Sequence, residues 1–174
     1  VIIKIIKKEL KIKKKYSINF ILNNVHKFVE IKDLNALRVK IINKINKNSN
    51  FKKNFYLLAR PYLYDLVGNE LAMQNSINLS IQLPKDNSSL LPVHSDVWSG
   101  DSVFEIVVWL PLVDCYKTKS MFILPPRYYK NFEKRFKKLF KKDSEKIYQD
   151  IKDKLEWINI KSVQVLLFNQ SLPH

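Results

Sequence analysis

Cysteine is almost missing from this chain. Cys115 is the only one, which excludes an intramolecular disulfide and any zinc site built on several thiolates, and points to a reducing, cytoplasmic setting. Histidine is nearly as scarce, with His26, His94 and His174 the full set. Long apolar runs are absent too: the opening Val1-Ile2-Ile3-Lys4-Ile5-Ile6-Lys7-Lys8 is cut by lysine far short of bilayer length and shows no signal-peptide cleavage pattern, so no membrane span is expected. Acidic residues number 16 against 31 basic ones, a formal charge of +15, yet only Arg38, Arg60, Arg127 and Arg135 are arginine. Lysine, asparagine and isoleucine are abundant together, as in Asn43-Lys44-Ile45-Asn46-Lys47-Asn48. A coding bias toward A and T produces that mixture without a polyanion partner, and no nucleic acid is expected. No methionine opens the chain and it stops on His174 just after an apolar run, so both ends read as the edges of a fragment.

What is present suffices for one ordinary domain. With 174 residues and 46% hydrophobic content the chain can bury a real core. An N-terminal helical support over 1–70 is expected to precede a β-rich part over 71–174 that carries a basic helical insert at about 128–155. The first fifteen residues leave a strand, an amphipathic helix and a frayed terminus open. From Lys32 to Asn48, apolar residues recur at spacings of three and four (Leu34, Leu37, Ile41, Ile42, Ile45), which predicts a helix ended by Asn48-Ser49-Asn50. A short helix is expected after Pro61, stopping at Gly68-Asn69. Ser76 to Leu83 alternates strictly, with Ile77, Leu79, Ile81 and Leu83 on one face and Asn78, Ser80 and Gln82 on the other, and predicts a strand. Further strands are expected around His94, over Val103 to Val113, over Met121 to Leu124 and over Ser162 to Phe168. In the insert, Phe132, Phe136, Leu139 and Phe140 form one stripe, best explained as core packing.

The run Leu91-Pro92-Val93-His94-Ser95-Asp96-Val97-Trp98 carries the chemistry. In an extended segment residues i and i+2 point to one side, so His94 and Asp96 could grip one metal ion together, and His174 could supply a third ligand. Two histidines and one carboxylate on one side of a metal form the facial triad of non-haem Fe(II) oxygenases, which leaves positions open for a cosubstrate and dioxygen. The spacing alone is weak: with 16 acids in 174 residues, an acid follows a given histidine by two places about once in eleven.

The order of segments resembles a known family. His94-Ser95-Asp96-Val97-Trp98, then Val107-Val108-Trp109-Leu110-Pro111-Leu112-Val113-Asp114, Met121-Phe122-Ile123-Leu124-Pro125-Pro126, and Val165-Leu166-Leu167-Phe168 leading to His174 look like the Fe(II)- and 2-oxoglutarate-dependent dioxygenases. Within that superfamily the chain is most similar to the phytanoyl-CoA dioxygenase-like branch, and especially to bacterial oxygenases found sporadically in carbohydrate gene clusters. The resemblance covers roughly Leu71 to His174. It implies a mainly β fold with flanking helices, the double-stranded β-helix (jelly roll, cupin-like), truncated after the distal histidine. It also implies His94, Asp96 and His174 as catalytic metal ligands, and Trp109, Leu79 and Gln82 beside the cosubstrate. The implied cofactors are Fe(II), 2-oxoglutarate and dioxygen. The implied reaction is hydroxylation of a small molecule, an anionic sugar derivative, nucleotide-sugar or related metabolite of surface-polysaccharide biosynthesis. Halogenation would need the carboxylate ligand missing, and Asp96 is present. The family's basic residue for the far carboxylate of 2-oxoglutarate, usually an arginine several positions past the distal histidine, would lie beyond His174.

Two rival readings come from other classes. In one, the lysine-rich stretch from Lys130 to Lys154 makes a non-catalytic module for anionic glycan or nucleic acid, with salt-dependent binding indifferent to Fe(II). In the other, the chain is a cupin-like metal-binding isomerase, a class that usually gathers more histidines than this chain holds.

Overall fold

A computed structural model describes residues 1–87, 90–139, 143–162 and 164–174, without the side chains of 137–139. The chain divides into two compact units, Val1–Leu90 and Leu91–His174.

The first unit is helical. Isoleucines at 2, 3, 5 and 6 give α1 (Ile2–Glu9) an apolar side around the buried Ile6, while Lys7 and Lys8 sit in its last turn, where cations complement the helix dipole,. Next comes α2 (Ile18–Asn23), capped by the Ser17 hydroxyl, which accepts from the Phe20 N–H at 3.1 Å,. The predicted three-four periodicity becomes α3 (Ile31–Asn46), which buries Leu34, Leu37, Ile41 and Ile45. Asn48 both ends that run and caps α4 (Ser49–Val67), its side chain accepting from the Phe51 N–H at 2.9 Å. The short helix expected after Pro61 is therefore the second half of a longer one with Pro61 inside it. The helix stops at Gly68, whose φ of 82° a side chain would resist,.

The predicted strand over Ser76–Leu83 is not a strand: Ser76 lies in a bend and 77–83 have no regular secondary structure. Its alternation is nonetheless obeyed: Ile77 and Leu83 are buried with the α1–α3 core, Leu79 and Ile81 pack against it, and Asn78, Ser80 and Gln82 face out. At Ile77 a side chain takes the place of a partner strand. The Asn46 amide of α3 donates to the Ile77 carbonyl at 2.9 Å and accepts from the Ile77 N–H at 2.7 Å,.

The second unit mixes short strands with helices. β1 (Ile106–Trp109) pairs antiparallel with β4 (Leu166–Asn169), matching Val107 to Phe168 and Trp109 to Leu166. β2 (Phe122–Ile123) pairs with β3 (Glu156–Trp157). Between β2 and β3 lie α5 (Pro126–Leu139) and α6 (Ser144–Ile151), joined by an Arg135–Asp150 ion pair at 2.7 Å. Val93, Leu124, Phe132, Ile147 and Ile151 form this unit's core. Phe132 and Phe136 of the predicted stripe do pack inward; Phe140 and the Leu139 side chain lie outside the described residues, as does Val163 of the last predicted strand.

The expected double-stranded β-helix is not the fold. About 49% of the chain is helical and 8% strand, and the described strands form two sheets of two strands each, whereas a jelly roll needs two sheets of several strands facing one another. Alternation and continuous apolar runs are what the walls of facing sheets would also require. Here they serve as an unpaired segment packed on the first unit's core and as strands of two to four residues.

Candidate metal centre

His94, Asp96 and His174 come together in the second unit, with one potential ligand atom from each lying within 4.8 Å of the others. Backbone pairing creates the approach. The His94 N–H donates to the His174 carbonyl at 3.0 Å and the His174 N–H returns a bond to the His94 carbonyl at 2.8 Å. One residue back, the Pro173 carbonyl accepts from the Leu124 N–H at 2.8 Å, so the last residues bond on one side to His94 and on the other to the segment after β2. Side chains then fix Asp96, which opens a short 3-10 turn over Asp96–Ser99 rather than sitting in a strand. Trp98 in that turn stacks on Phe136 of α5, centroids 4.5 Å apart, and contacts Phe132 at 6.0 Å,. The helical insert thus anchors the turn that carries the carboxylate.

The imidazoles are oriented for ligation. Each Nδ1 lies 2.8 Å from a carbonyl oxygen, that of Pro92 for His94 and that of Leu172 for His174. A carbonyl only accepts, so each Nδ1 carries a proton, which leaves Nε2 as the nitrogen that offers a lone pair when the ring is neutral. Both Nε2 atoms face the same carboxylate: His94 Nε2 is 3.6 Å from Asp96 Oδ1 and His174 Nε2 is 3.9 Å from Asp96 Oδ2. These separations are too long for hydrogen bonds. Donors on one ion with bonds of about 2.0–2.2 Å lie about 3.0–3.5 Å apart, so holding an ion would draw these groups a few tenths of an ångström together. The rings are 4.5 Å apart and tilted by 53°.

Burial and charge act differently on the members. The His174 side chain is only 11% exposed, against 32% for His94. Burial holds the His174 imidazole below its ordinary pKa; the Leu172 carbonyl raises it, His94 lowers it and Asp96 raises it, in decreasing order of weight,. Phe168 of β4 packs its ring edge-on to His174 with centroids 5.2 Å apart.

A support not foreseen from sequence is Gln170. Its carbonyl accepts from the Asp96 N–H at 3.2 Å and from the hydroxyl of the fully buried Ser95 at 2.9 Å. Its buried side-chain amide donates to the Ser102 carbonyl at 2.9 Å and to Glu105 Oε2 at 3.0 Å. The one signal in the sequence was its place between the last apolar strand and His174.

The expected cosubstrate residues fall in different units. Trp109 lies opposite Leu166 and two places from Val107, itself opposite Phe168. Directly paired residues share a sheet face, so Trp109 is on the face that carries Phe168, the neighbour of His174. Leu79 and Gln82 belong to the first unit, Leu79 packed against its core and Gln82 exposed. The three ligands fit a mononuclear metal by donor chemistry: two neutral imidazoles with ordered Nδ1–H groups and one carboxylate. Comparison with protein-family models, with curated proteins and with solved structures returned no match. Among the described residues, no helix is long and apolar enough to cross a membrane.

Proposed function

We propose that this chain is a non-haem Fe(II)- and 2-oxoglutarate-dependent oxygenase that hydroxylates a small molecule. The observation that supports it is the paired Nδ1–H bonds to Pro92 and Leu172, which turn both Nε2 lone pairs toward Asp96. Of the metals a two-histidine, one-carboxylate set takes, Fe(II) with open positions is the one used for oxygenation. When bound, Fe(II) supplies activation of dioxygen at the expense of the 2-oxo acid, which ends as succinate and carbon dioxide. The protein's part is positional. His94, Asp96 and His174 hold the ion, the Pro92 and Leu172 carbonyls fix the imidazole tautomers, and Phe168 keeps one side of His174 dry. Trp109 would wall the cosubstrate space on the same sheet face. The resemblance in motif order extends the proposal to a sugar, nucleotide-sugar or related metabolite as substrate.

Anaerobic titration of the protein with Fe(II) and 2-oxoglutarate tests this reading through the visible charge-transfer band of the ternary complex. The band is expected in wild type and absent in His94→Ala. A folded wild-type protein that binds Fe(II) and gives no band refutes the 2-oxoglutarate assignment.

A further inference from the structure

The positive charge of this chain is unevenly distributed. Residues 1–90 hold 17 basic and 6 acidic side chains, a net +11, while residues 91–174 hold 14 and 10, a net +4. Within residues 1–29 there are eight lysines and one carboxylate, Glu9, and Glu9 is paired with Lys44 of α3. Coding bias accounts for lysine abundance. It does not account for where these lysines gather or for what stands between them.

Tyr16 and Phe20 stack with centroids 4.7 Å apart and planes 17° from parallel. Lys14 Nζ lies 5.4 Å from the Tyr16 ring centre, Lys27 Nζ lies 5.5 Å from that of Phe20, and Lys7 Nζ reaches the Tyr16 carbonyl at 3.5 Å. Two ammonium groups therefore lie over one aromatic pair and a third bonds the main chain beside it, with Lys11, Lys13 and Lys15 exposed on the adjoining loop. Beside them, at the start of α2, Ile18 is 58% exposed and Phe20 36% exposed. We propose that this patch docks the first unit on an anionic lipid surface, lysines 7, 11, 13, 14, 15 and 27 meeting headgroup phosphates and carboxylates while Ile18 enters the acyl boundary.

Two observations favour lipid over a nucleic acid strand. A strand gripped without sequence preference needs free aromatic faces on which bases stack, and here the rings face each other with ammoniums beside them. An exposed aliphatic side chain among lysines has no counterpart in base stacking, but it is the pairing that holds peripheral proteins at a membrane interface. The docking uses no residue of the metal centre and stands apart from the oxygenase reading.

The test is co-sedimentation of the full chain with phosphatidylcholine vesicles containing about 30 mol % phosphatidylserine, against pure phosphatidylcholine vesicles, at low and high salt. Wild type is expected to sediment with the anionic vesicles at low salt and with the neutral ones hardly at all. Lys13→Gln/Lys14→Gln/Lys15→Gln should lower partition about a hundredfold, with arginine at the three positions restoring it. Ile18→Ser should weaken binding while leaving its salt dependence in place. Far-UV circular dichroism confirms that each variant is folded. Equal binding to both vesicles, or an unchanged partition of the glutamine variant, overturns the proposal. So does a single-stranded oligonucleotide that displaces the protein from vesicles at equal phosphate concentration.

Discussion

Gln170 performs two tasks through different atoms, and they can be separated. Its backbone carbonyl holds Asp96 and Ser95 and survives any substitution, whereas its amide ties the turn before His174 to Ser102 and Glu105. Gln170→Ala should therefore leave the Asp96 N–H satisfied and loosen the loop at 102–105. Groups that orient metal ligands from outside typically change affinity about 10- to 100-fold when removed. A loss of that size in anaerobic Fe(II) titration, beside a stability loss of about 0.5–1.5 kcal/mol for hydrogen bonds whose exposed partners Ser102 and Glu105 regain water,, is the expected result. Unchanged affinity with the same stability loss would make Gln170 purely structural. Cys115 is the other residue with a sharp expectation. It is buried, its backbone is bridged to Ile160, its Sγ is 3.3 Å from the Val113 carbonyl, and burial pushes its thiol above the ordinary value. The thiolate is the reactive form, so labelling by a disulfide reagent at neutral pH should be slow in the native protein and become fast in denaturant. Fast native labelling would contradict the burial of this segment.

At the scale of elements, α1 is held to α3 by the Lys44–Glu9 ion pair as well as by isoleucine packing. The hydrogen bond from Lys44 is the main reason the Glu9 carboxyl is held below its ordinary value. A carboxyl lowered in the folded state contributes stability that is present above its unfolded pKa and is lost as pH falls through the folded value. Acid unfolding of wild type should therefore start from a higher plateau than that of Glu9→Gln, with the two curves converging once Glu9 is protonated. Urea melts at neutral and acidic pH measure this; parallel curves across the range would remove the pair from the account. The same elements show what the sequence made legible. The α3 periodicity was sufficient because a helix satisfies its backbone internally and needs only one apolar face. The alternation over Ser76–Leu83 announced which side chains would be buried, but not what would pair with the backbone. That partner is Asn46, a side chain thirty-one positions away, and periodicity carries no signal for it. The start of α4 is hidden for a local reason: Asn48-Ser49-Asn50 is both a helix stop and a helix cap, and Pro61 is as compatible with a helix start as with the helix interior it occupies,.

Over the whole molecule, the candidate site was more legible than the fold. His94, Asp96 and His174 could be named because metal ligation restricts the chemistry to a few residue types, and three histidines left few choices. The sheet count could not be read, since an apolar run such as Val107-Val108-Trp109 looks the same in a large sandwich and in a two-stranded ribbon. The placement of Leu79 and Gln82 with Trp109 depended on that large sheet, and these residues belong instead to separate compact units. The boundary between the units makes a prediction for proteolysis. Thermolysin cuts before large apolar residues where the backbone can be drawn out of its surroundings. Leu91 is 75% exposed, and among the described residues the Leu90–Leu91 step is tied by the Leu90 N–H bond to Asn87. Phe104 is more exposed still, at 84%, so exposure alone would direct the first cut there. Its loop, however, is pinned at Ser102 by the Gln170 amide and the Glu105 N–H, at Val103 by the Asn169 amide, and at Phe104 by the Ser102 hydroxyl. The first cut should therefore fall at Leu90 or Leu91 and release two fragments that match the units, as read by mass spectrometry of brief digests. In Gln170→Ala the loop loses a tether, and cleavage at Val103 or Phe104 should rise to compete. A first cut at Phe104 in wild type would show that the hydrogen bonds around Gln170 do not restrain the loop, and would weaken the argument that they position Asp96.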